Sequence, residues 1–449
     1  MQQITSSAQL KDQILDLLHK NGFDSPYYSK ILDYTIELFH SKELGDDYYG
    51  YHNIVHELEV TYVTLIAAQW ESFPNSESFL NNFTKEDLSY LFVAGLFHDY
   101  DPNKQVDKPH EEDAVKFVKT DEKLLELLKD VGIDENIVAT LILRTTYPWS
   151  GELQQKAETQ IEEHLSVSDI TKNDPNKKEH YKTLGWFLSV ADRIGGYALG
   201  DFSKALEMAK MNAHALIMHP RLLARGSVSY FEELLDKEEK MCERILRSLP
   251  KQMRKSFMDN VLSFMKLREQ EIQINASFVY DNLKIVPTIE TMNPRQNDDF
   301  INVLFKIFEE LPRPLKFNRE NFSESVRNPA TFLNTLRLGT EKGPIIGFAK
   351  GGPLEDYKLR PEIKDHNYGM FNTLFLEPLA LKMGYWGHTG GHEMRLLFTM
   401  QAEAKGYKYL ASFAPRNVIQ DRIKRHEKIE FVKQRPGPER WDYYRTKLK

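Results

Sequence analysis

The chain has 449 residues, 41% hydrophobic and 28% charged, the composition of an ordinary globular protein with room for two or three domains. Its one cysteine, Cys242, excludes an internal disulfide and a cysteine-built zinc cluster, so any metal must be held by His, Asp or Glu. The net charge of −7 is uneven: residues 1–283 carry 31 basic and 46 acidic side chains (−15), and residues 284–449 carry 28 and 20 (+8). The first 280 residues read as helices. Apolar residues recur at three- and four-residue spacing in AQLKDQILDLLHK, SKILDYTIELFHSKEL, NIVHELEVTYVTLIAAQW, KEDLSYLFVAGLFHD, EEDAVKFVKT, DEKLLELLKDV and DENIVATLILRTTY. The same spacing continues in YKTLGWFLSVADRIGGYALG, DFSKALEMAKMNAHALIM, SYFEELLDKEEKMCERILRSL and KQMRKSFMDNVLSFMKLREQEIQIN. Polar loops are expected at PNSESFLNN (74–82) and TKNDPNKKEH (171–180).

After about residue 283 the pattern changes. LKIVPTIET, TFLNTLRLG, PIIGFAKGG, FNTLFLEPLAL, KYLASFAP, IEFVKQ and WDYYRTKLK are rich in β-branched and aromatic residues and read as strands. DDFINVLFKIFEEL, GHEMRLLFTMQAEAKG and NVIQDRIKRHE read as helices between them. The expectation is a multidomain chain, an all-α domain over 1–283 and an α/β or α+β domain over 284–449.

Within YHNIVHELEV, His52 and His56 stand four residues apart on one helix face. That spacing suits a metal ligand with a helper beside it, and equally a pair of core histidines. His98 and Asp99 follow the apolar run VAGLF, and Asp192 follows GWFLSVA, both places where a lone ionised group is costly. The order His56, His98-Asp99, Asp192 on a helical domain resembles the HD superfamily of metal-dependent phosphohydrolases, over roughly residues 45–215. YHNxxH is the form of the branch that includes the cyclic-nucleotide phosphodiesterases. The resemblance implies that His56, His98, Asp99 and Asp192 bind a divalent metal (Zn, Mn, Fe or Mg). It implies further that His52 protonates the leaving alkoxide while metal-activated water attacks phosphorus. His110, in KPHEEDAV, is the candidate for a second metal, and Lys104 for a phosphate contact. Pro102 stands where those phosphodiesterases have another histidine, and their purine-binding glutamine has no counterpart, so a cyclic nucleotide is not implied. His164, His180, His214 and His219 read as loop or core residues.

The segment KMGYWGHTGGHEMRLLFTMQAEAKGYKYLASFAP runs from a strand through a glycine-rich turn into a helix and on to a strand. Glycines before a helix let backbone N–H groups approach a pyrophosphate. This layout resembles the acyl-CoA-binding core of the GNAT acetyltransferases. The resemblance makes Gly387, Gly390, Gly391 and His426 the candidate acetyl-CoA residues, with Asn417 on the following helix. The glycine spacing departs from the family's loop, His426 stands where the family often has tyrosine, and Glu430 where it has glycine. Glu377 is a candidate base, or an ordinary strand-end carboxylate.

The reading is a metal-dependent phosphohydrolase or phosphodiesterase acting on a small phosphate ester, with a nucleotide-like molecule as one candidate. The alternatives are an HD-type di-iron oxygenase, which His110 keeps open, and a ligand-sensing HD domain that controls an N-acetyltransferase. The acidic first half makes nucleic acid a poor partner. The N-terminal segment lacks the basic start and apolar core of a signal peptide, and no apolar run is long enough to cross a bilayer, so a cytoplasmic protein without a membrane partner is expected. Apolar positions on the helices of 230–275 make a homo-oligomer possible.

Overall fold

The structure is a computed structural model, and it describes residues 6–41, 51–69, 83–103, 110–215, 222–311, 315–317, 319–434 and 441–448. The expected loop at 74–82, Lys104 and His219 lie outside the described residues, as do the side chains of His214 and Asn417. Packing divides the chain into two compact units, Met1–Met208 with Ser227–Phe264, and Ala209–Gly226 with Met265–Lys449.

The helices before the sheet are α1 (Ser7–Lys20), α2 (Pro26–Ser41), α3 (Ile54–Ala68), α4 (Lys85–Phe97), α5 (Glu111–Thr120), α6 (Glu122–Asp130) and α7 (Glu135–Leu143). They continue as α8 (Gly151–Val167), α9 (Pro175–Ala198), α10 (Phe202–Ala215), α11 (Leu223–Lys237), α12 (Glu239–Ser248) and α13 (Lys251–Tyr280). Two expectations need correction. The polar stretch 171–180 is a loop only as far as Asp174, whose carboxylate accepts from the backbone N–H of Asn176 and Lys177 and opens α9 with Pro175 at its first turn. Residues 151–167, left unassigned above, form α8, whose inner face is limited to Ala157, Ile161 and Leu165.

The first unit is centred on α3 and α4, which are buried on nearly all sides. Crossings this close need small residues. A Cβ at Gly95 on α4 would sit 2.9 Å from the Thr61 hydroxyl on α3, and one at Gly195 on α9 would sit 3.4 Å from the Val60 Cα. These glycines let α4 and α9 approach α3, and the candidate site lies at the ends of that contact. On α13, Met258, Leu262, Met265 and Ile272 are exposed.

The second unit continues with α14 (Met292–Arg295), α15 (Asp298–Glu309) and α16 (Phe322–Arg327), α17 (Gly390–Ala404) and α18 (Arg416–Lys424). Its strands are β1 (Ile285–Ile289), β2 (Phe332–Leu338), β3 (Ile345–Pro353), β4 (Thr373–Leu376), β5 (Ala380–Leu381), β6 (Tyr409–Pro415), β7 (Ile429–Lys433) and β8 (Trp441–Lys447). The sheet order is β1-β2-β3-β4-β6-β8-β7, with β5 also on β3. Every pairing is antiparallel except β4–β6, which runs Thr373 opposite Tyr409 through Leu376 opposite Ser412. The stretch FNTLFLEPLAL, expected as one strand, is two: β4 ends at Leu376, the Glu377 N–H still donates to the Lys350 carbonyl of β3, and after Pro378-Leu379 the chain rejoins β3 at Ala380. Pro378 has no N–H to offer a ladder. Side chains alternate as strands require: Leu333 packs with Ile301, Leu304 and Phe308 of α15, and Leu336 packs with Met394 and Phe398 of α17.

Candidate metal centre and glycine turn

The geometry begins with Asn53. Its side-chain oxygen accepts from the backbone N–H of Val55 at 2.9 Å and of His56 at 3.4 Å, so it caps α3 and sets His56 in the first turn. His98 ends α4, where Asp99 leaves the helix, and Asp192 sits within α9. Four residues from three helices thereby meet. The Nε2 of His56 lies 3.3 Å from Asp99 Oδ2 and 3.2 Å from Asp192 Oδ1; the Nε2 of His98 lies 3.5 and 3.6 Å from the same two atoms. Both Nε2 atoms are buried and make no hydrogen bond of good geometry.

Around an ion with bonds of ~2.1 Å, neighbouring ligand atoms stand ~3.0–3.4 Å apart. The separations here are close to that, and imidazole with carboxylate suits Zn, Mn, Fe or Mg. The residues therefore fit a divalent cation. The ring of His98 is held from behind: its Nδ1 lies 3.0 Å from the Gly95 carbonyl oxygen and 2.9 Å from Glu57 Oε2, leaving Nε2 toward the carboxylates. Burial alone lowers the pKa of His56, but Asp192 and Asp99 reverse this and raise it to about 10. His98 is likewise raised, against burial, by Glu57 and Asp99. Burial works against Asp99 and Asp192 as anions, yet the histidines hold both below the usual carboxylate range. Burial also pushes Glu57 up to about 7, against the pull of His98.

His52 is beside this group rather than in it, its Nε2 3.9 Å from Asp99 Oδ2. The Tyr51 ring packs against both histidines, 3.8 Å from the His52 ring centroid and 5.2 Å from that of His56. His110 is not brought to the cluster: it is exposed at the start of α5, where its backbone N–H donates to Asp101 Oδ2. Among the described residues, the atoms close enough to share an ion are those of His56, His98 and Asp99, with Asp192 at the distances above. His164 lies by Lys119 and Asn136, and His180 pairs with Asp87 at 2.7 Å, both structural settings. Glu57 and Tyr51 were not anticipated. The available signal for Glu57 was an acidic residue inside a helix with no polar face, which must have a partner.

In the second unit, α17 starts at Gly390 after a turn in which Gly384, Gly387 and Thr389 have φ of +92°, +94° and +60°. Gly387 thus meets a conformational need. Gly390 meets a packing one, since a Cβ there would fall 2.4 Å from Leu336 Cδ2. At half-buried Gly391 a Cβ would make only an ordinary contact, with Leu379 Cδ1 at 3.8 Å. His426 is exposed at φ +63° just past α18. Its neighbour Glu427 receives both terminal nitrogens of Arg395 on α17, at 3.3 and 2.7 Å. Glu377 is buried and accepts from Lys350 Nζ at 2.6 Å and Tyr357 Oη at 2.8 Å, the setting of a strand-end carboxylate serving a buried lysine.

No protein-family model and no curated protein matches the chain. Several solved structures are similar to part of it. A ribosomal-protein-S18-alanine N-acetyltransferase from Escherichia coli is 13% identical over 36% of this chain and 93% of its own, with a TM-score of 0.25. A ribosomal-protein-alanine N-acetyltransferase from Brucella melitensis is 11% identical over 36% of this chain and 98% of its own, TM-score 0.26. An acetyltransferase of the GNAT family from Staphylococcus aureus is 12% identical over 37% and 99%, TM-score 0.25. At TM-scores of that order the unit's own strand order, not the likeness, describes its fold. Among the described residues no helix is long and apolar enough to cross a membrane.

Proposed function

We propose that the first unit is an HD-type metal centre that hydrolyses a small phosphate ester of the nucleotide-like class. The observation that carries the reading is the convergence of His56, His98, Asp99 and Asp192 from three helices onto one buried spot. These four residues would hold the ion, which supplies Lewis acidity toward a phosphoryl oxygen and toward water. Glu57 and the Gly95 carbonyl fix the His98 ring. His52, at the edge of the cluster, can carry the proton for the departing alkoxide. The buried position of His98 and His56 keeps bulk water off the ligand nitrogens. The test is turnover of bis(p-nitrophenyl) phosphate and a nucleotide panel with added Mn²⁺ or Zn²⁺. His52→Ala should lower kcat by about 10²–10⁴ with bound metal retained. Metal-loaded protein that hydrolyses none of these substrates contradicts the reading.

A second reading concerns the other unit, as an acyl-CoA-binding module of GNAT type with N-acetyltransferase activity. It is supported by α17, which lies in chain order between β4 and β6, the one parallel pair of the sheet, and follows a turn of left-handed residues. Acetyl-CoA titrated into the wild type should bind. Gly391→Glu, where a Cβ meets nothing closer than 3.8 Å, should abolish that binding by bulk and charge while the far-ultraviolet spectrum is unchanged.

A further inference from the structure

The first unit contains a cavity of about 640 Å³ whose lining includes none of the residues of the metal cluster. Its walls include Arg144, Trp149, Glu158, Glu179, Lys182 and Trp186. Arg144 caps the C-terminus of α7, and its guanidinium lies 3.8 Å from the ring centroid of Trp149. Room for its stem comes from Gly185 on α9, where a Cβ would fall 2.9 Å from Arg144 Cβ. The Nη1 of this guanidinium is buried and has no hydrogen-bond partner. Among the described residues no carboxylate pairs with it: the nearby Glu238 is taken by Arg193 Nη2 at 2.9 Å and by the Trp186 indole at 2.6 Å. Burial pulls Arg144 down to about 10. A guanidinium withdrawn from water without an acceptor is costly, so a missing acceptor is implied.

The remaining charges narrow what brings it. Lys182 is spent on an ion pair with Glu162. Glu158 and Glu179 are exposed, Glu158 accepting from Gln154, and Glu179 makes no ion pair among the described residues. A simple anion such as phosphate would answer Arg144 but meet the two glutamates. A simple cation would answer the glutamates but meet Arg144. A zwitterion answers both. The walls between are aromatic: Trp149 backs Arg144, and Trp186 is pinned by Glu238, so neither ring needs ordering when an apolar group arrives.

We propose that this cavity binds a free α-amino acid with a large apolar side chain, its carboxylate on Arg144, its ammonium toward Glu179 and its side chain between Trp149 and Trp186. The volume is in the range of small-molecule sites. The proposal is independent of the function assigned to the metal centre.

The experiment is calorimetric titration of the full-length protein with L-phenylalanine, L-tyrosine, L-tryptophan, L-leucine and L-methionine, each alone. L-Phenylalaninamide, 3-phenylpropionate and inorganic phosphate serve as the comparators. The expected result is saturable binding of at least one amino acid, about tenfold or more tighter than a comparator lacking either charge. Arg144→Gln and, separately, Glu179→Gln should each weaken that binding by about tenfold with the thermal midpoint unchanged. Glu179 is exposed, so its variant tests the ammonium contact even if Arg144→Gln fails to fold. The proposal is overturned if no amino acid binds below about 10 mM, if phosphate binds more tightly than all of them, or if Glu179→Gln leaves the affinity unchanged.

Discussion

Asn53 links local chain geometry to the chemistry of the site. By capping α3 it fixes the turn in which His56 sits, so its loss affects both the fold and the cluster. Asn53→Ala should cost about 1 kcal/mol of stability, read as a shift in urea midpoint, and should also weaken metal binding. Glu57 acts from behind the ring of His98. Glu57→Gln, measured by competition with a metal chelator, should lower affinity about 10–100-fold with little change in helicity; unchanged affinity would remove Glu57 from the site. Spacing alone leaves His52 and His56 open between ligands and core residues. It is the motif order resembling the HD superfamily that singles out His56, His98, Asp99 and Asp192, whose ring nitrogens and carboxylate oxygens the structure places 3.2–3.6 Å apart, and His52, which it places beside them. Glu57 was not legible, since its partner is 41 positions away in the chain and only the crossing of α3 and α4 joins them.

That crossing operates at the scale of whole helices. Gly95 faces Thr61 at a distance that admits no added methyl group, so Gly95→Ala should push α4 off α3 and cost about 1–3 kcal/mol. A thermal midpoint equal to that of the wild type would show that the helices can yield there. A second link joins α9 to the start of α4, where His180 Nε2 lies 2.7 Å from Asp87 Oδ1 and Glu86 adds its charge. The hydrogen bond to Asp87 raises the pKa of His180, and Asp87 is lowered, burial opposing and His180 prevailing. A raised histidine stabilises fully below its unfolded value of ~6.5, and that stability is lost as pH rises through its folded value. The lowered Asp87 contributes above ~3.8 and is lost as pH falls through its folded value. The stability gap between wild type and His180→Gln should thus be widest near pH 5–6 and narrow by pH 8.5, as urea midpoints would record. A gap that widens with pH contradicts the assignment. Most helices and strands were legible from periodicity. Helix α8 was not, because only three of its 17 residues are buried; the break between β4 and β5 was marked only by Glu377-Pro378 inside a run otherwise apolar on both sides.

Across the whole chain, an acidic set of helices precedes a basic sheet unit, and the change of balance at about residue 284 coincides with the change from helices to strands. The compact units are drawn differently, since α13 divides between them at Phe264 and residues 209–226 join the sheet unit. Helical periodicity could not show this, as it records which face of a helix is covered but not by what. The central claim is that His56, His98, Asp99 and Asp192 form one metal centre. The most direct measurement is elemental analysis of the purified protein after incubation with Mn²⁺ or Zn²⁺ and removal of free ion, with Asp99→Ala and Asp192→Ala alongside. The account predicts about one equivalent of metal in the wild type, with loss in both variants and unchanged helicity. Retention of the metal in either variant, or its absence from the wild type, would contradict it.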